Sequence, residues 1–179
     1  LLIAGKNGGA WQVSKSTGSA LEYAVKVKTL KDAKLVFVLS EATNQKLTVE
    51  SVGDINYEYK NGEIRAQGEF KLLTGSKLEF IKTFDATGSI RFESDVTNPY
   101  LNVVATYKAP HTTTTGTVED VQVKLVLEGT VDELGKNLAS NPDNISVYVG
   151  AKNIESGTPD KQLGAADAFS FIVIGKFVK

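Results

Sequence analysis

The sequence predicts an all-β protein, namely a jelly-roll-like antiparallel β-sandwich with an extended N-terminal strand and at most one short helix. Two observations carry this prediction. Apolar and polar residues alternate with a period of two through most of the chain, which is typical of strands with one buried face. Short segments rich in Gly, Asn, Asp and Pro separate the alternating runs and are typical of turns.

The first two predicted strands differ in how much apolar surface they carry. The run LEYAVKVKTL places Tyr23, Val25 and Val27 on one face and charged residues on the other, which indicates a half-buried strand. The run KLVFVLSE is apolar from Leu35 to Leu39. It therefore predicts a strand that is buried on both faces.

The clearest turn signal is Asn61-Gly62, which lies between two alternating segments. Asn-Gly is a preferred pair for a two-residue type I′ turn, so the segments around it are predicted to form a hairpin. This turn places opposite charges together on one face and apolar side chains together on the other, as a correct register requires. The predicted pairs are Lys60 with Glu63, Tyr59 with Ile64, Glu58 with Arg65 and Tyr57 with Ala66.

Six further alternating runs complete the predicted sheet. KLEFIKTF and SIRFESDV flank a predicted turn at Asp85-Ala86-Thr87-Gly88, and PYLNVVATYKA, VEDVQVKLVLEGTV and NISVYVGAK follow. The last run, AFSFIVIGKFVK, is predicted to be a strand that is apolar on both faces. Only VDELGKNLAS, with Leu134 and Leu138 four residues apart, indicates a helix.

Length and composition limit the classes of protein. At 179 residues the chain is predicted to form one β-sandwich domain over residues 13–179, after an N-terminal apolar strand and Gly-rich linker at residues 1–12. The formal net charge of -1 argues against a nucleic-acid partner, because such proteins usually carry a strong basic excess. Since no apolar run approaches ~20 residues, we expect no helix that spans a membrane.

Few side chains are suited to catalysis or metal binding. The chain has no Cys and a single His, His111, which lies in a Thr-rich segment that is predicted to be a solvated loop. Because zinc sites and Cys–His catalysis need more such groups, we expect no metal, no cofactor and no enzymatic activity. A small glycosidase with paired carboxylates is the remaining enzymatic class. The regular alternation argues against it by placing the candidate acids on solvent faces; these acids are Glu58, Glu63, Glu69, Glu79 and Glu93.

The N-terminal run LLIAG is apolar on both faces and therefore needs cover on both sides. We expect it to form a strand that is either paired within its own chain or donated to a neighbouring subunit, where it would lie at the subunit interface. The residues of this strand are Leu1, Leu2, Ile3 and Ala4. The apolar C-terminal run is the predicted acceptor groove, because an uncovered strand of this kind tends to aggregate. The residues of that groove are Phe169, Phe171, Ile172, Val173 and Ile174.

A β-rich body without Cys that follows an apolar N-terminal segment resembles the TasA-type biofilm fibre proteins and the archaeal bundling pilins. The resemblance is one of architecture and extends over the whole chain. It implies the structural subunit of an extracellular filament, either a pilus or a biofilm matrix fibre, assembled by donor-strand complementation. The implied partners are other copies of the chain, joined in a homopolymer.

The sequence leaves a second function open, that of a secreted β-sandwich module that binds a glycan or a protein. For both functions we expect an extracellular or cell-surface location, with a signal peptide removed just before Leu1, because the chain holds no Met and begins with an apolar run. Asn144-Ile145-Ser146 is a glycosylation sequon, which makes Asn144 a candidate site of N-glycosylation in a secreted protein.

Overall fold

The computed structural model describes residues 22–29, 33–42, 44–137 and 144–178. Nine strands and three short helices lie in these residues, and the all-β fold class is confirmed, because the described residues are mostly in antiparallel strands. The elements are β1 (Tyr23–Thr29), β2 (Lys34–Ser40), β3 (Gln45–Lys60), β4 (Glu63–Leu72), β5 (Lys77–Glu79), β6 (Thr83–Phe92), β7 (Tyr100–Thr112), β8 (Val118–Thr130), α1 (Val131–Asn137), β9 (Ile145–Val149), α2 (Ala151–Ser156) and α3 (Ala165–Ile174).

All nine strands belong to one antiparallel sheet, ordered β1-β3-β4-β6-β7-β8-β9. The long strand β3 pairs along one edge with β2 and then β1, and along its other edge with β5 and then β4. Strands β4 and β5 both pair with β6 as well. The fold is thus all-β as predicted, but its strands form a meander in a single hydrogen-bonded sheet. The sequence predicts a different arrangement, the two facing sheets of a jelly roll.

One face of the sheet carries the hydrophobic core, and we call it the inner face. Leu47, Val49 and Ile55 of β3 are fully buried there, while the alternate residues Thr48, Glu50 and Asp54 point to the opposite, outer face. Charged side chains pair on the outer face, as in the contacts of Lys26 with Asp54 (2.9 Å) and of Lys34 with Glu50 (3.1 Å). One-sided burial of this kind produces the alternating pattern of the sequence.

Strand β2 is buried on one side only, so the prediction of two-sided burial for residues 35–39 is wrong. Phe37 and Leu39 lie in the core on the inner face. Val36 and Val38 point to the outer face, and each is 45% exposed. The strand is apolar on both faces although only one of them packs against the rest of the domain.

The hairpin between β3 and β4 is confirmed in register. Lys60 pairs with Glu63 and Tyr57 with Ala66, as the turn requires. The turn residues Asn61 and Gly62 have φ angles of 53° and 85°. Positive φ at both central positions is the mark of a type I′ turn.

The chain reverses between β5 and β6 at a different place from the predicted turn. The reversal occurs around Lys82, whose carbonyl accepts a hydrogen bond from the N–H of Phe80 (3.0 Å). The predicted turn at Asp85–Gly88 is wrong, because these residues lie within β6 and pair with β7. A Cβ atom at Gly88 would collide with the carbonyl oxygen of Asn102 on that strand, so glycine permits close strand approach here.

The predicted helix forms as α1, and it shows that the sheet is curled. Leu134 of α1 is buried in the core, and the helix contacts both β2 and β8. These two strands lie on opposite sides of the sheet in its strand order. A single short helix can touch both only if the sheet curls around its inner face. Helices α2 and α3 exceed the single helix that the sequence predicts.

The C-terminal apolar run forms α3, so its prediction as a strand is wrong. Ala168, Phe171 and Ile172 are buried with the spacing of one helix face. The N–H of Gly164 before the helix donates to the Asp167 carboxylate (3.1 Å), and Gly175 ends the helix with a left-handed φ of 74°. These caps and the alanines at residues 165, 166 and 168 favour a helix over the β-propensity of the residues that follow.

The predicted N-terminal strand, with Leu1, Leu2, Ile3 and Ala4, lies outside the described residues, as does the linker that the sequence predicts up to residue 12. The prediction of a donated strand is therefore not tested by the fold. The division into residues 1–12 and 13–179 likewise stays a prediction.

Candidate functional site

The two edges of the sheet differ in how they are protected. At the β9 edge, the N–H of Asp160 donates to the carbonyl of Val147 (2.8 Å), and the Asn153 side-chain amide donates to the carbonyl of Val149 (2.9 Å). These contacts occupy backbone acceptors that a further strand would need. The β9 edge is therefore blunted by its own chain.

The β1 edge lies at the other side of the sheet. Strand β1 pairs along its whole length with β3, from Tyr23 opposite Tyr59 to Thr29 opposite Gly53. Among residues 22–29, 33–42, 44–137 and 144–178, no backbone group pairs with its other edge. A row of free N–H and C=O groups is a template for another strand.

Apolar side chains lie on the inner face beside this edge, and we call them the mouth patch. Tyr23 and Val25 of β1 are 43% and 47% exposed, and Ile64 of β4 is 50% exposed. Tyr57 and Tyr59 of β3 lie between them and are half-buried. The register places Tyr59 between Tyr23 and Ile64, so the patch continues the core toward one end of the strands.

The electrostatics of the two faces differ sharply at this end of the sheet. On the inner face, burial raises the pKa of the Tyr57 phenol. On the outer face, a hydrogen bond from Lys26 lowers the pKa of the exposed Asp54 carboxyl, and the charges of Lys26 and Lys28 lower it further. A strand added to β1 would thus meet an apolar surface on one face and a charged surface on the other.

The sequence correctly predicts which residues of the mouth patch share a face, but it does not predict that they are exposed. The alternation of β1 and the hairpin register place Tyr57, Tyr59 and Ile64 on one apolar face, as the structure confirms. Their exposure depends on which strand lies at the sheet edge. Strand order is a long-range property, and the local pattern carries no signal for it.

The residues of the predicted acceptor groove lie on α3 and do not form the wall of a strand-binding groove. Phe171 and Ile172 are buried, and the Phe169 ring lies 5.9 Å from that of Phe80. Val173 and Ile174 point outward and are 54% and 66% exposed. The groove prediction is wrong because a helix turns successive side chains around its axis, whereas a strand would align alternate ones.

The sequence predicts that His111 lies in a solvated loop, and this prediction is wrong. It is a half-buried residue of β7, directly opposite Glu119 of β8. Its ring lies 4.8 Å from that of Phe177, and its Nδ1–H donates to the carbonyl of Gly175 (3.3 Å). The histidine is a packing residue between the sheet and the C-terminal segment.

The other candidate groups offer no constellation for catalysis. All five predicted surface acids, Glu58, Glu63, Glu69, Glu79 and Glu93, are exposed. In the described part of the chain, no three His, Cys, Asp or Glu side chains are close enough together to hold a metal ion. Asn144 is half-buried just before β9, and its glycosylation stays a prediction.

The cavity beside α2 has a volume of about 430 Å³. Lys108, Asp120 and Glu155 lie around it together with Ile154, so both charge signs border an apolar wall. It therefore favours no single charged ligand. None of the helices in the described residues is long and apolar enough to cross a membrane.

Comparison with known protein families identifies a match to most of the chain. The family model of the TamB C-terminal domain matches residues 7–179. No curated protein and no solved structure matched the chain. TamB is a protein of the outer-membrane translocation and assembly module and is associated with the cell envelope, and its domain is not a known enzyme family.

The match corrects three predictions. The resemblance to TasA-type fibre proteins and archaeal bundling pilins is wrong, because the matched family is not a filament family. The description of the chain as a pilus or biofilm subunit built by donor-strand complementation is wrong for the same reason. The prediction of a homopolymer is also wrong, because TamB is a component of a machinery with a different partner. Since the match extends over nearly the whole sequence, the chain belongs to the TamB C-terminal domain family.

Proposed function

We propose that this chain is a strand-accepting domain of an outer-membrane assembly machinery. The observation that carries the proposal is the outer edge of β1, with which no described residue pairs, beside the mouth patch. The family supports it, because TamB belongs to the outer-membrane translocation and assembly module and works with a partner protein, TamA. This function is a protein-binding form of the binding module that the sequence leaves open.

The incoming segment would pair its backbone with β1 and place alternate side chains on the two faces of the sheet. Its apolar residues would cover Tyr23 and Val25, and its polar residues would lie beside Lys26 and Lys28. Strands of outer-membrane proteins alternate apolar and polar residues in this way. The domain would therefore hold such a strand before it reaches its final pairing.

Apolar burial and backbone pairing would both contribute to binding. Fully burying a large apolar side chain stabilises by about 1.5–3 kcal/mol, and the half-exposed residues of the mouth patch would contribute part of that amount each. Each backbone hydrogen bond would contribute roughly 0.5–1.5 kcal/mol net. The sum must exceed the cost of ordering the incoming strand, so binding is expected to be reversible.

The proposal includes a location in the cell envelope, on the outer side of the cytoplasmic membrane. The finer prediction of an extracellular or cell-surface location is tested by fractionation and by protease treatment of intact cells. Digestion in intact cells would indicate surface exposure, and protection until the envelope is opened would indicate an internal envelope location.

The binding test uses a short labelled peptide that alternates Val with Thr. Val25→Glu places a charge on the inner face beside the free edge, and we expect it to weaken binding at least tenfold. Val36→Glu is the matched control, because Val36 is a valine of similar exposure on the outer face of β2. Its binding is expected to stay within twofold of the wild type. Equal losses in both variants, or none in either, would contradict the site.

A second peptide separates strand pairing from simple apolar contact. N-methylation of alternate backbone nitrogens removes the donors along one edge of the peptide but keeps every side chain. Methylation on the edge that faces β1 is expected to abolish binding, and methylation on the other edge to preserve it. Equal binding of both methylated peptides would overturn the strand-accepting function.

A further inference from the structure

The end of the sheet opposite the mouth patch is closed by α3 and the residues that follow it. Tyr107 and His111 lie on the inner face of β7 and are half-buried. The ring of Phe171 lies 6.4 Å from Tyr107 and 6.0 Å from His111. The cover at this end is thus formed by α3 and residues 175–178, which we call the C-terminal plug.

The plug is attached by side-chain packing and a few polar contacts at its ends. The Asp167 carboxylate accepts hydrogen bonds from the N–H of Gly164 (3.1 Å) and the N–H of Val178 (3.2 Å). These two contacts join parts of the plug region to each other. The hydrogen bond from His111 to Gly175 links it to the sheet.

Removal of the plug would break no strand pairing. Phe177 stacks on Phe171 with the ring centroids 5.2 Å apart, so the terminal segment and the helix pack as one unit. The plug follows β9 and contributes no residue to the strand pairings of the described sheet. It can therefore separate from the sheet while all nine strands stay paired.

The plug also carries apolar surface on its solvent side. Val173 and Ile174 are more than half exposed, although the opposite side of α3 is buried in the core. A helix that is apolar on all sides is usually buried on all sides. Docking of α3 therefore leaves the side chains of Val173 and Ile174 in water, so they add little to the stabilisation that α3 gains from closing the sheet.

We propose that the C-terminal plug is a cover that opens as a unit and exposes the inner face of β7 around Tyr107 and His111. In the open state the apolar inner face would be accessible at both ends of the strands, at the mouth patch and at the plug site. Opening would be a sub-global event, because the sheet keeps its pairing. The proposal does not depend on the strand-accepting function of β1.

Thiol labelling tests the opening directly, because the chain contains no cysteine. Ala168 of α3 is fully buried, and so is Ala66 of β4, which lies beside Tyr57 at the mouth-patch end of the strands, away from the plug. We expect Ala168→Cys to react with a thiol reagent under native conditions at least tenfold faster than Ala66→Cys. Equal labelling rates would show that α3 opens only with global unfolding and would overturn the proposal.

The plug contacts are tested with a second substitution. In the Ala168→Cys background, Phe177→Ala removes the stack on Phe171 and is expected to speed labelling a further tenfold or more. Val178→Ala is the control, because the Val178 side chain is about two-thirds exposed. We expect its labelling rate to stay within twofold of that of Ala168→Cys alone. An unchanged rate in Phe177→Ala would show that the aromatic contacts do not hold the plug closed.

Native-state hydrogen exchange of the unmodified chain gives the same measurement without a cysteine. The N–H of Ala168 donates to Gly164 (3.0 Å), and that of Gly175 donates to Phe171 (2.8 Å). We expect these amides to exchange faster than those of β8, with a weaker dependence on denaturant. A common exchange rate and denaturant dependence for α3 and β8 would overturn the proposal, whatever the result of peptide binding at β1.

Discussion

Tyr23 stacks on Tyr59 at the open end of the sheet, with ring centroids 5.2 Å apart and ring planes 23° apart. The two residues are direct partners in the β1–β3 register. Their contact therefore holds the start of the edge strand against the body of the sheet. It also forms the central surface of the mouth patch.

A double-mutant cycle should measure this contact. Aromatic pairs contribute about 0.5–1.5 kcal/mol beyond their buried area, and we expect the low end of that range because Tyr23 is exposed. Tyr23→Ala, Tyr59→Ala and the double variant would be compared by urea unfolding. Phe70→Ala, at a buried strand position, is the comparison variant and should lower the free energy of unfolding by about 3–5 kcal/mol. A coupling energy of zero would show that the tyrosines do not stabilise β1.

The β3–β4 turn gives a second prediction. Gly62 has a φ of 85°, and nothing lies within 4 Å of a Cβ atom built there. Backbone conformation alone therefore decides the effect of a substitution. Gly62→Val should lower the free energy of unfolding by about 1–2 kcal/mol, because a β-branched residue is forced to positive φ. Gly62→Asn should cost less, since asparagine tolerates this conformation, and equal melting temperatures for both variants would contradict the turn type.

This hairpin was predictable because every determinant is local. The pair Asn61-Gly62 specifies both the turn and the register, and the alternation on either side agrees with it. The predictions of β7, β8 and β9 likewise rest on alternation and on turn residues nearby in the sequence. The turn residues and the period-two alternation together predict most strands of the sheet.

Predictions failed where long-range packing decides the structure. The run that becomes α3 is apolar on both faces like a buried strand, but Asp167 caps it as a helix and the inner face of the sheet buries Phe171 and Ile172. The glycines at residues 164 and 175 and the alanines between them were the local signal for this helix. The exposure of the mouth patch had no local signal, because it follows from the position of β1 at the sheet edge.

The start of α1 should contribute to the acid sensitivity of the fold. The Thr130 N–H donates to the Glu133 carboxylate (2.9 Å), and the Glu133 N–H donates to the Thr130 hydroxyl (3.4 Å), which is a capping box. The backbone hydrogen bond from Thr130 is the main cause that lowers the pKa of Glu133. Because the folded-state pKa is depressed, this stabilisation is present above the ordinary glutamate pKa and is lost as the pH falls through the folded-state pKa.

Glu133→Gln keeps a hydrogen-bond acceptor but removes the titrating charge. We expect its melting temperature to fall less than that of the wild type when the pH is lowered through the acid range. Glu41→Gln, an exposed glutamate in the turn after β2, is the matched control and should follow the wild-type curve. A Glu133→Gln curve parallel to the wild type would show that the capping box does not contribute to the pH dependence.

At two buried serines, Ser51 and Ser76, removal of the hydroxyl should change the free energy of unfolding in opposite directions. Ser51 is fully buried, and its Oγ has no hydrogen-bond partner among the described residues. Ser76 is equally buried, but its Oγ accepts from the Glu50 N–H (3.1 Å) and lies 2.9 Å from the Leu73 carbonyl, to which it can donate. Burial of the Ser51 hydroxyl costs desolvation energy that no hydrogen bond to a described residue offsets. The hydrogen bonds of the Ser76 hydroxyl, in contrast, join the β4–β5 turn to β3.

We therefore expect Ser51→Ala to raise the free energy of unfolding by about 1–2 kcal/mol and Ser76→Ala to lower it by about 1–3 kcal/mol. The two substitutions remove the same atom, so their hydrophobic contributions nearly cancel in the comparison. Urea unfolding of both variants at neutral pH would give the difference directly. Destabilisation by Ser51→Ala would show that the Ser51 hydroxyl has a hydrogen-bond partner in solution, such as a buried water molecule, and that its burial is not a source of strain in the core.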